Sequence, residues 1–166
     1  MNHFLKGLFF LASIHLGKAQ ISIDSALKTL NTGDIPYKYI HDIENTSFLL
    51  LDARTKAEYT VSHLKKAQWI GTKKNEIQSF INNHPISKLP VVVYCAIGVR
   101  SEQVARVLKK AGYPEVYNLY GGIFAWNNAN LPLFKNDSTT TAIHGYNKQW
   151  STLLTKGNVV LPKKKK

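Results

Sequence analysis

From residue 47 onward, short apolar runs alternate with stretches of helical spacing. Phe48-Leu49-Leu50-Leu51 is an apolar run ending at Asp52, and it reads as a buried strand. Thr55 is placed to cap a short helix over Lys56–Val61. Ala67–Ile70 reads as a second strand. Ile77, Phe80 and Ile81 recur at helical spacing within Glu76–Asn82, which ends before Pro85. Val91-Val92-Val93-Tyr94 is the strongest strand signal in the chain. Ser101–Ala111 is the strongest helix, with Val104, Ala105, Val107, Leu108 and Ala111 on one face and Gly112 as its stop. Val116–Leu119 reads as a strand, and Gly121-Gly122 opens a helix through Trp126. Residues 21–46 are mixed, because Gly33 and Pro36 break any long helix. From Asn136 the chain turns polar, and no internal repeat occurs. Strands that alternate with helices in this way give an α/β fold, a parallel sheet covered on both faces. Such sheets bind ligands at the carboxyl ends of their strands.

The first twenty residues have a different pattern. Lys6 supplies a positive end, Gly7–Leu16 is an apolar run interrupted by Ser13 and His15, and Gly17 and Ala19 are small residues ahead of Gln20. This is the layout of a secretory signal peptide over residues 1–19, cut near Ala19. The run is shorter than the ~20 residues a membrane span needs. The expectation is therefore an exported chain, periplasmic or extracellular, with no stable membrane anchor. An N-terminal segment over 20–34 would precede the main domain.

Composition narrows the classes. The chain has 166 residues, 44% of them hydrophobic, which fits one globular domain and excludes wholesale disorder. Its single cysteine excludes an internal disulfide and a multi-cysteine zinc site. The net charge of +12 suggests an anionic partner until the charges are located. Lys6 and Lys18 lie in the leader, and Lys163–Lys166 form a terminal run that reads as a solvated end. No aromatic–glycine sheet signature or zinc finger supports a nucleic-acid partner.

The cysteine is the candidate reactive group. Cys95 directly follows the strand Val91–Tyr94 and precedes the helix, in the string Cys95-Ala96-Ile97-Gly98-Val99-Arg100-Ser101. A helix N-terminus offers free N–H groups and a positive dipole end, so a thiolate there is stabilised. Gly98 permits a positive φ, Arg100 adds a permanent charge with a fork suited to an oxyanion, and Ser101 is placed to cap the helix. A buried, inert cysteine is the bland alternative.

The same string resembles the Cys-x-x-Gly-x-Arg-Ser active-site loop of single-domain rhodanese-type sulfurtransferases. Asp52-Ala53-Arg54 with Glu58-Tyr59, His63-Leu64 followed by Ala67, and Gly121-Gly122 through Trp126 to Leu131-Pro132 resemble three further family motifs, in order. The departures are Ser62 in place of Gly, Lys65-Lys66 in place of Pro-Gly, and Asn130 where Gly is common. The resemblance implies a rhodanese-like domain over 35–134, with a central parallel sheet of about five strands. A C-terminal extension with a Lys-rich tail would occupy 135–166. It implies catalysis by Cys95 through a persulfide, without metal or cofactor. Substrate would be bound by Ala96, Ile97, Gly98, Val99, Arg100 and Ser101, and Asp52, Arg54, Glu58 and His63 would give structural support. The expected partners are a small-molecule sulfur donor such as thiosulfate and a thiol or cyanide acceptor.

Three readings compete: a sulfurtransferase, a non-enzymatic persulfide carrier or binding module, and phosphatase or arsenate-reductase chemistry on the same fold. The last needs five residues between Cys and Arg, whereas Ala96–Val99 supplies four. The stretch His144–Trp150 mixes aromatic and polar residues. It reads as a C-terminal arm laid on the domain, with the alternative that it lines a site or binds a partner.

Overall fold

The computed structural model describes residues 21–44, 47–86 and 88–163. The expected signal peptide and the last three lysines lie outside these residues.

The sheet is parallel and five-stranded, in the order β1-β5-β4-β2-β3. Its strands are β1 (Tyr37–Lys38), β2 (Leu49–Asp52), β3 (Gln68–Trp69), β4 (Val91–Tyr94) and β5 (Val116–Leu119). The helices are α1 (Ile23–Leu30), α2 (Ile40–Glu44), α3 (Lys56–Val61), α4 (Lys74–Asn83), α5 (Val99–Lys110) and α6 (Gly122–Asn128). The main sequence expectations hold, with boundaries shifted by a few residues. The 21–46 stretch resolves into α1, β1 and α2, with Ser22 capping α1 through a reciprocal pair with Ser25.

All four residues of β4 are buried, and they divide by alternation. Val91 and Val93 pack with Val104, Ala105 and Leu108 of α5 and with Ile77 and Phe80 of α4. Val92 and Tyr94 face Ile123, Phe124 and Trp126 of α6. A strand covered on both faces cannot alternate apolar with polar, which explains its unbroken apolar run.

The chain beyond α6 adds to the second layer. β6 (Leu133–Lys135) and β7 (Ser138–Thr140) form an antiparallel hairpin, and β8 (Ala142–His144) pairs in parallel with β9 (Asn158–Val160). A 3₁₀ turn over Trp150–Leu153 lies between β8 and β9. Ile143 and Leu153 join the core cluster that contains Trp126, so the arm shares the domain's core. No helix among the described residues is long and apolar enough to cross a membrane.

The departures from the family motifs fall into two kinds. Lys66 and Asn130 both take positive φ, 60° and 65°, the conformation a glycine would supply at lower cost. Ser62 is extended (φ −167°), so its backbone needs no glycine there.

Candidate active site

β2 and β4 run in register, with Asp52 opposite Tyr94, so their carboxyl ends finish together. Cys95 is the first residue past that edge. It is buried, and its Sγ accepts the Gly98 N–H at 3.2 Å.

Two glycines shape the loop. Gly98 has φ of 110°, open to glycine and strained for any L side chain, and it serves as the N-cap of α5. The expected capping role of Ser101 is corrected accordingly: Ser101 is inside the first turn, fully buried, and its hydroxyl donates to Asn118 Oδ1 at 2.7 Å. Gly98 holds the N-cap position, and the Ser101 hydroxyl is engaged with Asn118 rather than turned back to the cap backbone. Gly122 works from below. The N–H groups of Ile123 and Phe124 bond the Cys95 and Ala96 carbonyls at 2.9 and 3.0 Å. A Cβ on Gly122 would strike both carbonyls, lying 2.7 Å from that of Ala96. With those carbonyls turned toward α6, the loop's N–H groups are left to face the sulfur.

The Gly98 carbonyl is held by two amides, Asn118 Nδ2 at 2.8 Å and Asn31 Nδ2 at 3.1 Å. Neither asparagine stood out as a site residue in the sequence. Asn118 had a weak signal, a polar residue inside the apolar strand Val-Tyr-Asn-Leu.

Burial pushes the Cys95 thiol up, but the Arg100 charge, Ser101 and the Gly98 N–H outweigh it, and the thiol is held below its ordinary range. The Arg100 fork, expected to meet an oxyanion, is bidentate to Glu58, with Nη1 at 2.8 Å from Oε2 and Nη2 at 2.7 Å from Oε1. Burial would raise the Glu58 carboxyl, yet Arg100 and the Thr55 cap hold it down at about 2. Glu58 also closes the expected cap of α3, accepting from the Thr55 N–H and hydroxyl. The Tyr146 ring covers the guanidinium, 4.7 Å from its carbon to the ring centroid.

Asp52 and Arg54 form a fully buried ion pair (2.6 Å) that ties the end of β2 to the Ser62 carbonyl. The His63 ring stacks on Tyr59, with Nδ1 2.9 Å from the Leu64 carbonyl oxygen. None of these three lines the opening to Cys95. That opening is a cleft of ≈130 Å³, walled by Ala96, Ile97, Val99 and Arg100 from the loop and by Leu30, Tyr146 and Trp150 from the two ends of the domain. Of the loop residues expected to bind substrate, Ala96, Ile97, Val99 and Arg100 line the cleft, whereas Gly98 and Ser101 do not. Leu30 joins Asn31 and Asn118 as a site residue that the sequence does not single out. Among the described residues, no cluster of His, Cys, Asp or Glu is placed to hold a metal ion.

Residues 36–129 match the family model for the rhodanese-like domain. The chain is 31% identical over 94 residues to a tRNA uridine(34) hydroxylase of Aster yellows witches'-broom phytoplasma, covering 55% of this chain and 30% of that protein. It is 25% identical over 136 residues to the enzyme of the same name in Chlamydia felis, covering 78% and 42%. The chain therefore spans less than half the length of these curated relatives. Among solved structures, a rhodanese-related protein of Thermoplasma volcanium superposes with a TM-score of 0.54 at 20% identity, covering 60% of this chain and 98% of that one. The rhodanese-like domain of an Anabaena protein does so at 0.53 and 22%, covering 63% and 83%. With that match over more than half its length, the chain belongs to the rhodanese-like domain family.

Proposed function

We propose that the protein is a sulfurtransferase in which Cys95 carries the sulfur. The observation that supports this most is the backbone cradle. A depressed thiol sits at a strand end, accepts the Gly98 N–H, and faces the first turn of α5. A thiol held below its ordinary range presents more of the nucleophilic thiolate without a separate general base.

The Cys95 thiolate attacks the outer sulfur of a donor such as thiosulfate. The new bond is Sγ–S, the old S–S bond breaks, and sulfite leaves with its electron pair. The acceptor, a thiol or cyanide, attacks the outer sulfur of the persulfide and the Sγ thiolate is restored. The terminal sulfur is anionic, and the helix dipole and loop N–H groups stabilise it as they stabilise the thiolate. Four residues between Cys95 and Arg100 make a loop suited to one added sulfur rather than a tetrahedral oxyanion. The relatives' tRNA uridine(34) hydroxylase activity belongs to proteins of which this chain spans 30–42%, and the sulfur-transfer reading rests on the Cys95 loop instead.

Steady-state kinetics with thiosulfate and cyanide test this. Ping-pong kinetics are expected, with thiocyanate formation lost in Cys95→Ala. Thiocyanate formed at an unchanged rate in that variant rules out the mechanism. We further propose that the enzyme is exported. N-terminal sequencing of native protein would then begin near Gln20, and a start at Met1 or Asn2 contradicts it.

A further inference from the structure

The outer half of the Cys95 cleft is apolar. Leu30 from the end of α1, Ile97 and Val99 from the loop, and Tyr146 and Trp150 from the C-terminal arm surround the approach to the sulfur. Among the described residues that line it, Arg100 carries the only side-chain cation. That charge is offset by a bidentate carboxylate and covered by an aromatic ring. His144 behind Tyr146 adds no compensating charge: burial lowers it from the ordinary histidine range, and its Nδ1 accepts the Tyr146 N–H at 3.0 Å. An ionised Cys95 therefore makes the mouth of the site net negative.

The arm is built to place these rings. Tyr146 has φ of 62°, a conformation that a bulky side chain adopts rarely and at a cost. Gly145 before it is closely packed, since a Cβ there would lie 2.7 Å from Ser151 and from Val159. The Trp150 backbone N–H is fixed by Asn147 Oδ1 at 2.9 Å. A small inorganic donor such as thiosulfate has no organic part for this wall to hold, so the wall bears on the acceptor.

Resting on the sulfurtransferase reading, we infer that the cleft selects an uncharged organic thiol with a phenyl-sized apolar group as the acceptor of the sulfur. A dry apolar cavity of about 150 Å³ takes benzene, and the volume of ≈130 Å³ here is of that order. The acceptor, uncharged as it binds, gives up its thiol proton to water; its thiolate attacks the outer sulfur of the Cys95 persulfide, the S–S bond breaks, and its electron pair returns to Sγ. One thiolate and one persulfide anion are consumed and one of each is formed, so no oxidant or reductant enters. The apolar group lies against Trp150 and Leu30 while the reacting sulfur faces the loop.

The test begins with inorganic polysulfide, which loads Cys95, and the persulfide carried by each variant is measured by mass. Discharge rates by benzyl mercaptan and by 2-mercaptoethanesulfonate are then compared. Each rate is divided by that of the same thiol with a free low-molecular-weight persulfide. Benzyl mercaptan is expected to be favoured about tenfold or more, the order that filling an apolar pocket gives. Trp150→Ala should bring the ratio toward one. Leu30→Arg, at a half-exposed position, should turn it toward the sulfonate. Equal normalised rates in the wild type, or a preference that survives both substitutions, overturn the inference. Unreactive benzyl methyl sulfide separates the two ideas. If Cys95 takes up no sulfur but this compound slows its alkylation by iodoacetamide, the transfer reading fails and the ligand class stands. If it gives no protection, the ligand class fails as well.

Discussion

Two walls enclose the Cys95 sulfur, and they are made of different material. The inner wall is backbone: N–H groups of the loop from Cys95 to Ser101, aimed by the positive φ of Gly98 and by the contact of Gly122 with the loop carbonyls. The outer wall is side chain: Leu30, Tyr146 and Trp150, brought from opposite ends of the domain. Backbone donors act on whatever charge sits on the sulfur and hold nothing specific to the rest of a substrate. Side chains at the mouth do the reverse. The proposed chemistry and the proposed choice of partner therefore rest on separate parts of the chain, which meet where the Tyr146 ring covers Arg100.

The inner wall is the more vulnerable. Gly122→Ala forces a Cβ into the Cys95 and Ala96 carbonyls at a position with φ of 54°. A loss of about 3 kcal/mol is expected, read as a lower urea midpoint with an unchanged m-value, together with a slower alkylation of Cys95. An unchanged midpoint would mean that α6 does not press on the loop.

Glu58→Gln tests the link between the walls. Removing the carboxylate leaves Arg100 to act on Cys95 uncompensated, so the pH midpoint for Cys95 alkylation should fall, and in Arg100→Met it should rise. The stability cost of Glu58→Gln is about 1–3 kcal/mol. The Glu58 carboxyl is held at about 2 in the folded chain, against an ordinary value of 4.5. A depressed carboxyl contributes stability above its unfolded value and loses it as pH falls toward the folded one. The advantage of the wild type over Glu58→Gln should thus be full above pH 4.5 and fade between there and about pH 2. A difference that does not change over that window contradicts the pairing.

The outer wall yields the smallest effect on stability. Tyr146→Leu keeps an apolar surface and removes the ring from Arg100, at a cost of about 0.5–1 kcal/mol. A loss well above this would make the Tyr146 ring a structural strut rather than a lining.

The same division governs what the sequence discloses. The loop is legible because its parts are neighbours: a β-branched run, a cysteine, a glycine and a helix start within eleven residues of each other impose one geometry. The capping of α3 by Thr55 is legible for the same reason. Ser101 misleads locally, because Gly98 at φ of 110° begins the helix earlier and takes the cap. Leu30 gives no signal, since only the docking of α1 against Gly98, through Asn31 and Leu27, brings it to the cleft. His144–Trp150 shows its aromatic content but not its destination, which depends on β8 pairing with β9. Pairings across distant segments leave no local periodicity to read.

The most direct test of the account is the mass of the intact chain after exposure to thiosulfate, followed by localisation of the added mass. A gain of about 32 Da, one sulfur atom, is expected on Cys95, removed again by cyanide and absent from Cys95→Ser. No added sulfur, or sulfur held elsewhere in the chain, would contradict the assignment of Cys95 as the carrier.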